Sequence, residues 1–483
     1  MRNAGRTPRF QPQRGVYDDD GGVERWAAAA VQNGKPVFTL EQIVHQLTIS
    51  GTAWDGAGAN PVPTAGLGTI TYGFFDFASQ VYSSERSLFQ PLSEAQRAAV
   101  RDAFAIFGEL VAVTFVEGTV FSADINLGNL ATQEDYFSAY AHYPSRSREG
   151  GDIWISTNAP ANQEIGLAQP GFRTLMHEIA HALGISHPGD YNAEEGVTLT
   201  YENDAEYFQD SLQYTIMSYF ASSSTGAIRT SFAATPMAHD IAAIQSLYGV
   251  NMTTRTGDTV YGFNGNAGRA AFDFTLNTAP VIAIWDAGGI DTLDFSGWST
   301  NSRIDLASGG SSDGGGQTHN VQIAFGTIIE RAIGGAGADI LSGNSANNLL
   351  RGGGGDDSLN GGAGSDRQEG GAGADIFAFT AAGHSRDYAH RSDGKKLMPD
   401  ILADFVSGTD KIDLAAIDAI AGTAGDDAFS FIGTGAFTGQ AGQLRYEVLR
   451  GQAHIYGDVD GDRGMDLHIV AGGTQILGSD FFL

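Results

Sequence analysis

Apolar and polar positions follow two unlike rhythms along this chain, and the change falls near Gly249. Before it, helical and strand periods alternate. Thr69, Ile70, Thr71, Tyr72, Gly73 and Phe74 read as a strand. Ser93 and Gln96 form a capping-box signature ahead of Ala98, Val100, Ala103, Phe104 and Phe107, which predicts an amphipathic helix. Residues 123–127 and 152–155 are further strand candidates, and 172–183 and 238–248 read as helices. The chain from about Trp26 to Gly249 is therefore expected to mix α and β. Residues 1–20, rich in Arg, Gln, Pro and Gly and ending in Asp18, Asp19 and Asp20, are expected to be disordered.

Beyond Gly249 the helical period disappears and a strict period of nine takes over. Gly334, Gly343, Gly352, Gly361 and Gly370 open successive units; Asp339, Asn348, Asp357, Asp366 and Asp375 follow five positions later. Two positions further stand Leu341, Leu350, Leu359, Gln368 and Phe377. This is the pattern of a parallel β-roll, in which glycines permit tight turns with converging carbonyls, the acid offers charge to a cation, and the apolar residue points inward. A disordered low-complexity tract would not keep that register. Gln368 breaks the apolar position and Asn348 replaces an acid, so the cation sites need not be equal. From Ala381 on, Asp400-Ile401, Asp404-Phe405 and 411–414 read as strands of a β-rich cap that covers the end of the solenoid. Asp458, Asp460 and Asp462 suggest either an extra calcium loop or an exposed acidic turn.

Composition narrows the classes. At 483 residues, 42% of them apolar, the chain is long enough for two or three cores. Asp plus Glu outnumber Lys plus Arg by 56 to 27, a formal charge of −29, which disfavours nucleic acids and anionic membranes and suits hard cations. There is no cysteine, so disulfides and thiolate metal sites are excluded. Met1 to Gly15 lacks the apolar core of a signal peptide, and no 18-residue apolar run predicts a transmembrane helix. Asp480, Phe481, Phe482 and Leu483 by themselves suggest a final edge strand.

The chemistry concentrates in the stretch from His177 to His187. On a helix, His177 and His181 lie one turn apart on one face, so both imidazoles reach one ion, with Glu178 beside them. Gly184 ends the helix with a reversal, and His187 returns as a third ligand. Three neutral nitrogens and an open position make a catalytic zinc site, with Glu178 as the base that takes a proton from water. Met217, 30 residues after His187, would form an apolar floor below the ligands. Tyr219 would donate a hydrogen bond to the developing oxyanion, a buried structural tyrosine being the alternative.

With these motifs the chain resembles the serralysin family, metzincin proteases secreted by Gram-negative bacteria. Its marks here are His187-Pro188-Gly189-Asp190-Tyr191, Met217-Ser218-Tyr219-Phe220, Asp240-Ile241-Ala242-Ala243-Ile244-Gln245 with Leu247-Tyr248-Gly249, Arg255 through Phe263, and Trp285-Asp286-Ala287-Gly288-Gly289 with Asp291. The match spans roughly 40–483. The resemblance implies an α+β metzincin-type zinc protease domain over 41–250, an all-β calcium-binding β-roll over 251–380 and a β-rich cap over 381–483. Residues 1–40 would be an extension or short propeptide. It implies His177, His181 and His187 as zinc ligands, Glu178 as base and Tyr219 as a switchable neighbour of the metal. Calcium is implied at Arg255, Gly257, Thr259, Asp286, Gly288, Gly289, Asp291 and Glu330, where Ile328 stands in place of a frequent threonine. In the roll it is implied at Gly335, Gly337, Asp339, Gly353, Gly355, Asp357, Gly362, Gly364, Asp366, Gly371, Gly373 and Asp375. Ala139, Tyr140 and Ala141 resemble the edge strand that pairs with an extended peptide substrate.

The same resemblance turns 480–483 into an export signal for a one-step transporter and implies a secreted monomer, folded by extracellular calcium, with a small protein inhibitor as a further partner. Two other classes stay open at this stage. A calcium-binding adhesin with an inactive zinc site would have no need of Glu178. A hydrolase built on Gly310-Ser311-Ser312-Asp313-Gly314 would need a strand–turn–helix context, and this run reads as a loop.

Overall fold

The computed structural model describes residues 31–54, 68–120, 122–131, 138–192, 196–385 and 398–483. The expectation of disorder over 1–20 and most of the 1–40 segment lie outside them. Two compact units are formed. One holds the described residues up to Thr256 with Ala279–Ala287 and His319–Thr327; the other holds Gly257–Thr278, Gly288–Thr318 and Ile328–Leu483.

In the first unit, helix α1 (Leu40–Leu47) is capped by Thr39 and Gln42 in a capping box. Strand β1 (Gly68–Phe74) follows, then helix α2 (Glu94–Leu110), whose Ser93 hydroxyl accepts the Gln96 N–H while the Gln96 side chain accepts the Ser93 N–H. Val100, Ala103, Phe104, Phe107 and Leu110 repeat at three- and four-residue steps and are buried on one face of α2. Each of these burials except that of Ala103 contributes about 1.5–3 kcal/mol relative to exposure.

Strands β2 (Val113–Glu117), β3 (Ile125–Leu130), β4 (Ala139–Ala141) and β5 (Ile153–Ser156) complete a sheet of order β2-β1-β3-β5-β4. The first four are mutually parallel, and β4 runs antiparallel to β5 at the end of that order. Helices α3 (Pro170–Ala182) and α4 (Ala238–Tyr248) share one core with α2 and the sheet, through Ile70, Phe104, Leu175, Ile179, Ile241 and Ile244. In the same unit Ile282–Ile284 pairs parallel with Val321–Ile323.

The regular structure of the second unit is mostly short parallel strands. Successive nine-residue repeats do not stack on each other; they alternate between two sheets, so each residue meets its counterpart eighteen places on. Leu341 pairs with Leu359 and that with Phe377 in one sheet, and Leu350 with Gln368 in the other. Those inward positions, Leu341, Leu350, Leu359, Gln368 and Phe377, are fully buried. Past the repeats the sheets continue through Asp400–Leu402 and Lys411–Asp413. Asp404-Phe405 is not a strand: the Asp404 carboxylate accepts the N–H groups of Gly370 and Gly371, and Phe405 is buried against Phe377. An antiparallel hairpin, Gln443–Leu449 with Gln452–Asp458, joins Leu467–Ala471, which returns parallel to Asp400–Leu402. Phe481–Phe482 ends the other sheet, parallel to Lys411–Asp413. Among the described residues no helix is long and apolar enough to cross a membrane.

Candidate metal centre

Helix α3 begins with Pro170 in its first turn, where the missing N–H costs nothing. It ends in a Schellman turn: the Gly184 N–H bonds to the His181 carbonyl and the Ile185 N–H to the Ala180 carbonyl. Gly184 has φ +98°, and a Cβ there would sit 2.1 Å from the Thr52 carbonyl oxygen, so both conformation and space demand glycine. That reversal brings His187 back over the helix.

The three Nε2 atoms converge, His187 lying 3.0 Å from His181 and 3.2 Å from His177. Every Nδ1 is turned outward to a carbonyl: Ile216 at 2.8 Å for His177, Ile185 at 2.7 Å for His181, Tyr191 at 2.9 Å for His187. A carbonyl only accepts, so each Nδ1 carries the proton and, in the neutral ring, each Nε2 presents a bare lone pair. No proton is left to bridge them. Burial first, then neighbouring rings, holds His177 well below the ordinary imidazole value. Burial, then His187, lowers His181 to about 3, and burial lowers His187 to about 4. Three lone pairs thus face one point with nothing of opposite charge among them, and these residues could hold a metal ion.

Glu178 is buried beside them, its Oε2 has no hydrogen-bond partner, and burial pushes its carboxyl up to about 8. Met217 is fully buried in the main core and follows Ile216, whose carbonyl orients His177. Tyr219 is 40% exposed, with its ring 4.6 Å from His187 and 6.1 Å from His177. Tyr143, two residues past β4, sets its ring edge-on to His181 at 5.5 Å, which puts the edge strand with Ala139, Tyr140 and Ala141 beside the centre.

Sequence reasoning missed the supports behind the ligands. The peptide that accepts from His177 donates its Met217 N–H to the Thr215 hydroxyl at 3.0 Å, and that hydroxyl donates to Asp240. Asp240 also accepts the Ile216 and Met237 N–H groups at 2.8 Å. On the other side, the Tyr191 and Ser218 hydroxyls both donate to Asp210, at 2.9 and 2.7 Å. Burial raises both carboxyls to about 6. Two buried aspartates therefore brace the Met217 turn and two of the three ligands. An acid at the third position of the apolar helix α4 was the one signal available for Asp240.

In the second unit the aspartates form ladders. The Asp357 carboxylate accepts the Asp339 N–H, Asp375 accepts from Asp357, and Asp410 accepts from Asp375. In the other column Asp366 accepts from Asn348 and Asp400 from Asp366. Each acid spends Oδ1 this way; Oδ2 of Asp357 and of Asp400 is buried without a hydrogen bond. Burial first, then Asp339, Asp375 and Asp356, raises Asp357 to about 7. A Cβ on Gly352 would lie 2.2 Å from Asp357 Oδ2, so the opening glycine of each unit makes room for the acid five places on. The carbonyls of Gly335, Gly353 and Gly355 stack directly under Gly353, Gly371 and Gly373, those of Asn344 and Ala346 under Gly362 and Gly364, and that of Gly337 under Gly355.

At the Asn348 level the amides of Asn344 and Asn348 donate to the carbonyls of Leu306, Ile329 and Glu330 instead. Nearer the start of this unit, Asp291 accepts the Thr259 N–H and donates its own to Glu330, with Gly257 packed on Gly289; Gly288 has φ +138°. Arg255 and Asp286 belong to the first unit, where Arg255 donates to the Trp285 carbonyl and to Glu109.

Asp458 spends its oxygens on the Gly461 and Arg463 N–H groups, in an acidic turn with the exposed Asp460 and Asp462. Ser312 lies in a two-residue strand, not a loop, and its buried hydroxyl accepts the Asp305 N–H.

Fold and site together define a metalloendopeptidase. The family description Peptidase M10 serralysin C terminal matches residues 250–483. The chain is 40% identical over 458 residues to Metalloprotease AprA of Pseudomonas entomophila, covering 92% of this chain and 90% of that one. It is 39% identical over 459 residues to Serralysin C of Dickeya chrysanthemi, covering 93% and 91%. Metallopeptidase AprA of Pseudomonas marginalis is 43% identical over 423 residues, covering 85% and 83%. The chain belongs to the serralysin family.

Proposed function

We propose that this chain is a secreted, zinc-dependent endopeptidase of the metzincin type that cuts extended or unfolded proteins, and that its second unit is a calcium-binding β-roll. The observation that carries this reading is the set of three bare Nε2 lone pairs beside a buried carboxylate whose Oε2 has no hydrogen-bond partner. The two separations from His187, 3.0 and 3.2 Å, are close to the edge of about 3.3 Å for a tetrahedron with zinc–nitrogen distances of about 2.0–2.1 Å. His177, His181 and His187 would hold the zinc, which when bound acidifies a water and polarises the scissile carbonyl.

Glu178 takes the water proton on its free Oε2 and passes it to the leaving amine. Tyr219, close to His187, donates a hydrogen bond to the carbonyl oxygen as it gains charge. Ala139, Tyr140 and Ala141 align the substrate by strand addition at the sheet edge.

Calcium fits the ladders by donor chemistry, since carboxylate oxygens such as the buried Oδ2 of Asp357 and the stacked glycine carbonyls make an all-oxygen donor set. Within the second unit the set would run from Gly257, Thr259, Gly288, Gly289, Asp291 and Glu330 through the glycines of the repeats and Asp339, Asp357, Asp366 and Asp375. We further read 480–483 as the export signal, a monomer as the working state, and a small protein inhibitor as a partner. The test is hydrolysis of unfolded casein by wild type, by a zinc-stripped sample and by Glu178→Ala. Cleavage lost on stripping, restored by zinc, and absent from a zinc-loaded Glu178→Ala establishes the reading. Full cleavage by that variant overturns it.

A further inference from the structure

Arg173 stands one helical turn before His177 on α3, on the same side, and its charge acts on Glu178 and Tyr219. It lines a cavity of about 260 Å³ together with Arg229, Leu212, Ser222, Ser231 and Phe232. No acid lines that cavity. Arg229 is fixed in place by donating to the carbonyls of Leu212 at 2.7 Å, Gln213 at 3.0 Å and His319. Yet the Nε of Arg229 and the Nε of Arg173 are both buried without a hydrogen-bond partner. Glu178 acts on Arg173 through its charge, but its Oε2 and the Arg173 Nε make no hydrogen bond.

A buried guanidinium is normally paired, because removing it from water uncompensated is costly. Here two of them face one cavity, and burial lowers both, Arg229 to about 9. The rest of the lining is apolar or hydroxyl: Phe232 lies 5.8 Å from the Arg173 guanidinium carbon, with Ala233 and Val281 beside it. The volume falls below the roughly 300–1,000 Å³ of pockets for whole small molecules, and matches one side chain. An aliphatic stem against Phe232 and a carboxylate between two guanidiniums satisfy every group.

We infer that this cavity is the substrate subsite for a carboxylate, so that Arg173 and Arg229 make the enzyme select an acidic residue next to the bond it cuts. The inference rests on the endopeptidase reading above. The carboxylate has two sources, a Glu or Asp side chain or the end of a chain, and one assay separates them.

Internally quenched peptides, blocked at both ends, carry a single Glu at each position flanking the scissile bond, with Gln twins. A third set carries Gln and a free C-terminal carboxylate. At one flanking position Glu is expected to exceed Gln in kcat/KM by about tenfold or more, the range of a charge-assisted bidentate pair. Arg173→Met brings that ratio near one, Arg173→Lys keeps part of it, and Arg173→Glu turns it toward Lys. A preference confined to the free terminus assigns the same cavity to chain ends.

Equal rates for all three sets overturn the subsite while leaving the protease intact. If no peptide is cut, the endopeptidase reading has failed instead. Calorimetry of the Glu and Gln peptides on Glu178→Ala then decides the cavity: tighter Glu binding upholds it, and equal binding overturns it. Near-ultraviolet circular dichroism identical to wild type shows that the Arg173 variants are folded.

Discussion

The metal centre and the repeat ladders solve the same problem, gathering donors around a point, in opposite ways. At the centre, three neutral nitrogens are locked from behind by carbonyls, so the arrangement is set by the fold before any ion arrives. In the ladders, buried carboxylates of one sign stack every eighteen residues, each next to another. Charge of one sign at that density opposes folding until something offsets it. The contrast teaches that the donors of the centre are held in place by the fold, while the like charges of the ladders work against it.

Calcium removal is expected to break the comparison most visibly. Chelating calcium should abolish the cooperative unfolding transition of the second unit, read by circular dichroism; stripping zinc alone should leave both transitions in place. Equal damage from both treatments would erase the contrast. Next in size is Gly184→Ala, which puts a Cβ against Thr52 at positive φ. A loss of about 3 kcal/mol in stability of the first unit is expected from thermal unfolding.

Thr215→Val cuts the chain of hydrogen bonds from Asp240 to the peptide that orients His177. Zinc affinity, measured by chelator competition, should weaken about 10–100-fold, with Thr215→Ser restoring it. His239 is buried in the same unit, and burial lowers it to about 3. Its folded value lies below the unfolded one of about 6.5, so stability is full above that pH and falls as pH drops toward 3. His239→Phe should therefore flatten the acid side of the stability profile by about 2 kcal/mol at pH 5. The smallest effect expected is in the ladders' own core. Gln368 is fully buried with neither side-chain oxygen nor nitrogen hydrogen-bonded, and Gln368→Leu should stabilise the second unit by about 1–2 kcal/mol in denaturant titrations.

What could be read from residues alone was whatever lay within one turn or one repeat. The run from His177 to His187 announces its ligands because helix spacing and a single glycine turn place them. The capping box at Ser93 likewise announces α2. Helix α1 went unread because eight residues give only two turns of pattern. The nine-residue period marked which residues point inward; that two sheets share the strands, so that paired residues stand eighteen apart, is seen in the folded chain. Asp400 and Asp410 join the ladders 34 and 35 places after the residues they accept from, outside the nine-residue register, so no period reveals them. The supports at Asp210 and Asp240 and the cavity of Arg173, Arg229 and Val281 are assembled from segments far apart in sequence. Only the folded chain brings them together.

The central claim is that His177, His181 and His187 present bare Nε2 atoms to one zinc ion. Anomalous diffraction at the zinc edge, on crystals of the purified chain, tests it most directly. The account predicts one zinc peak, bonded to those three Nε2 atoms at about 2.0–2.1 Å. A peak placed elsewhere, or bonded through any Nδ1, would contradict it.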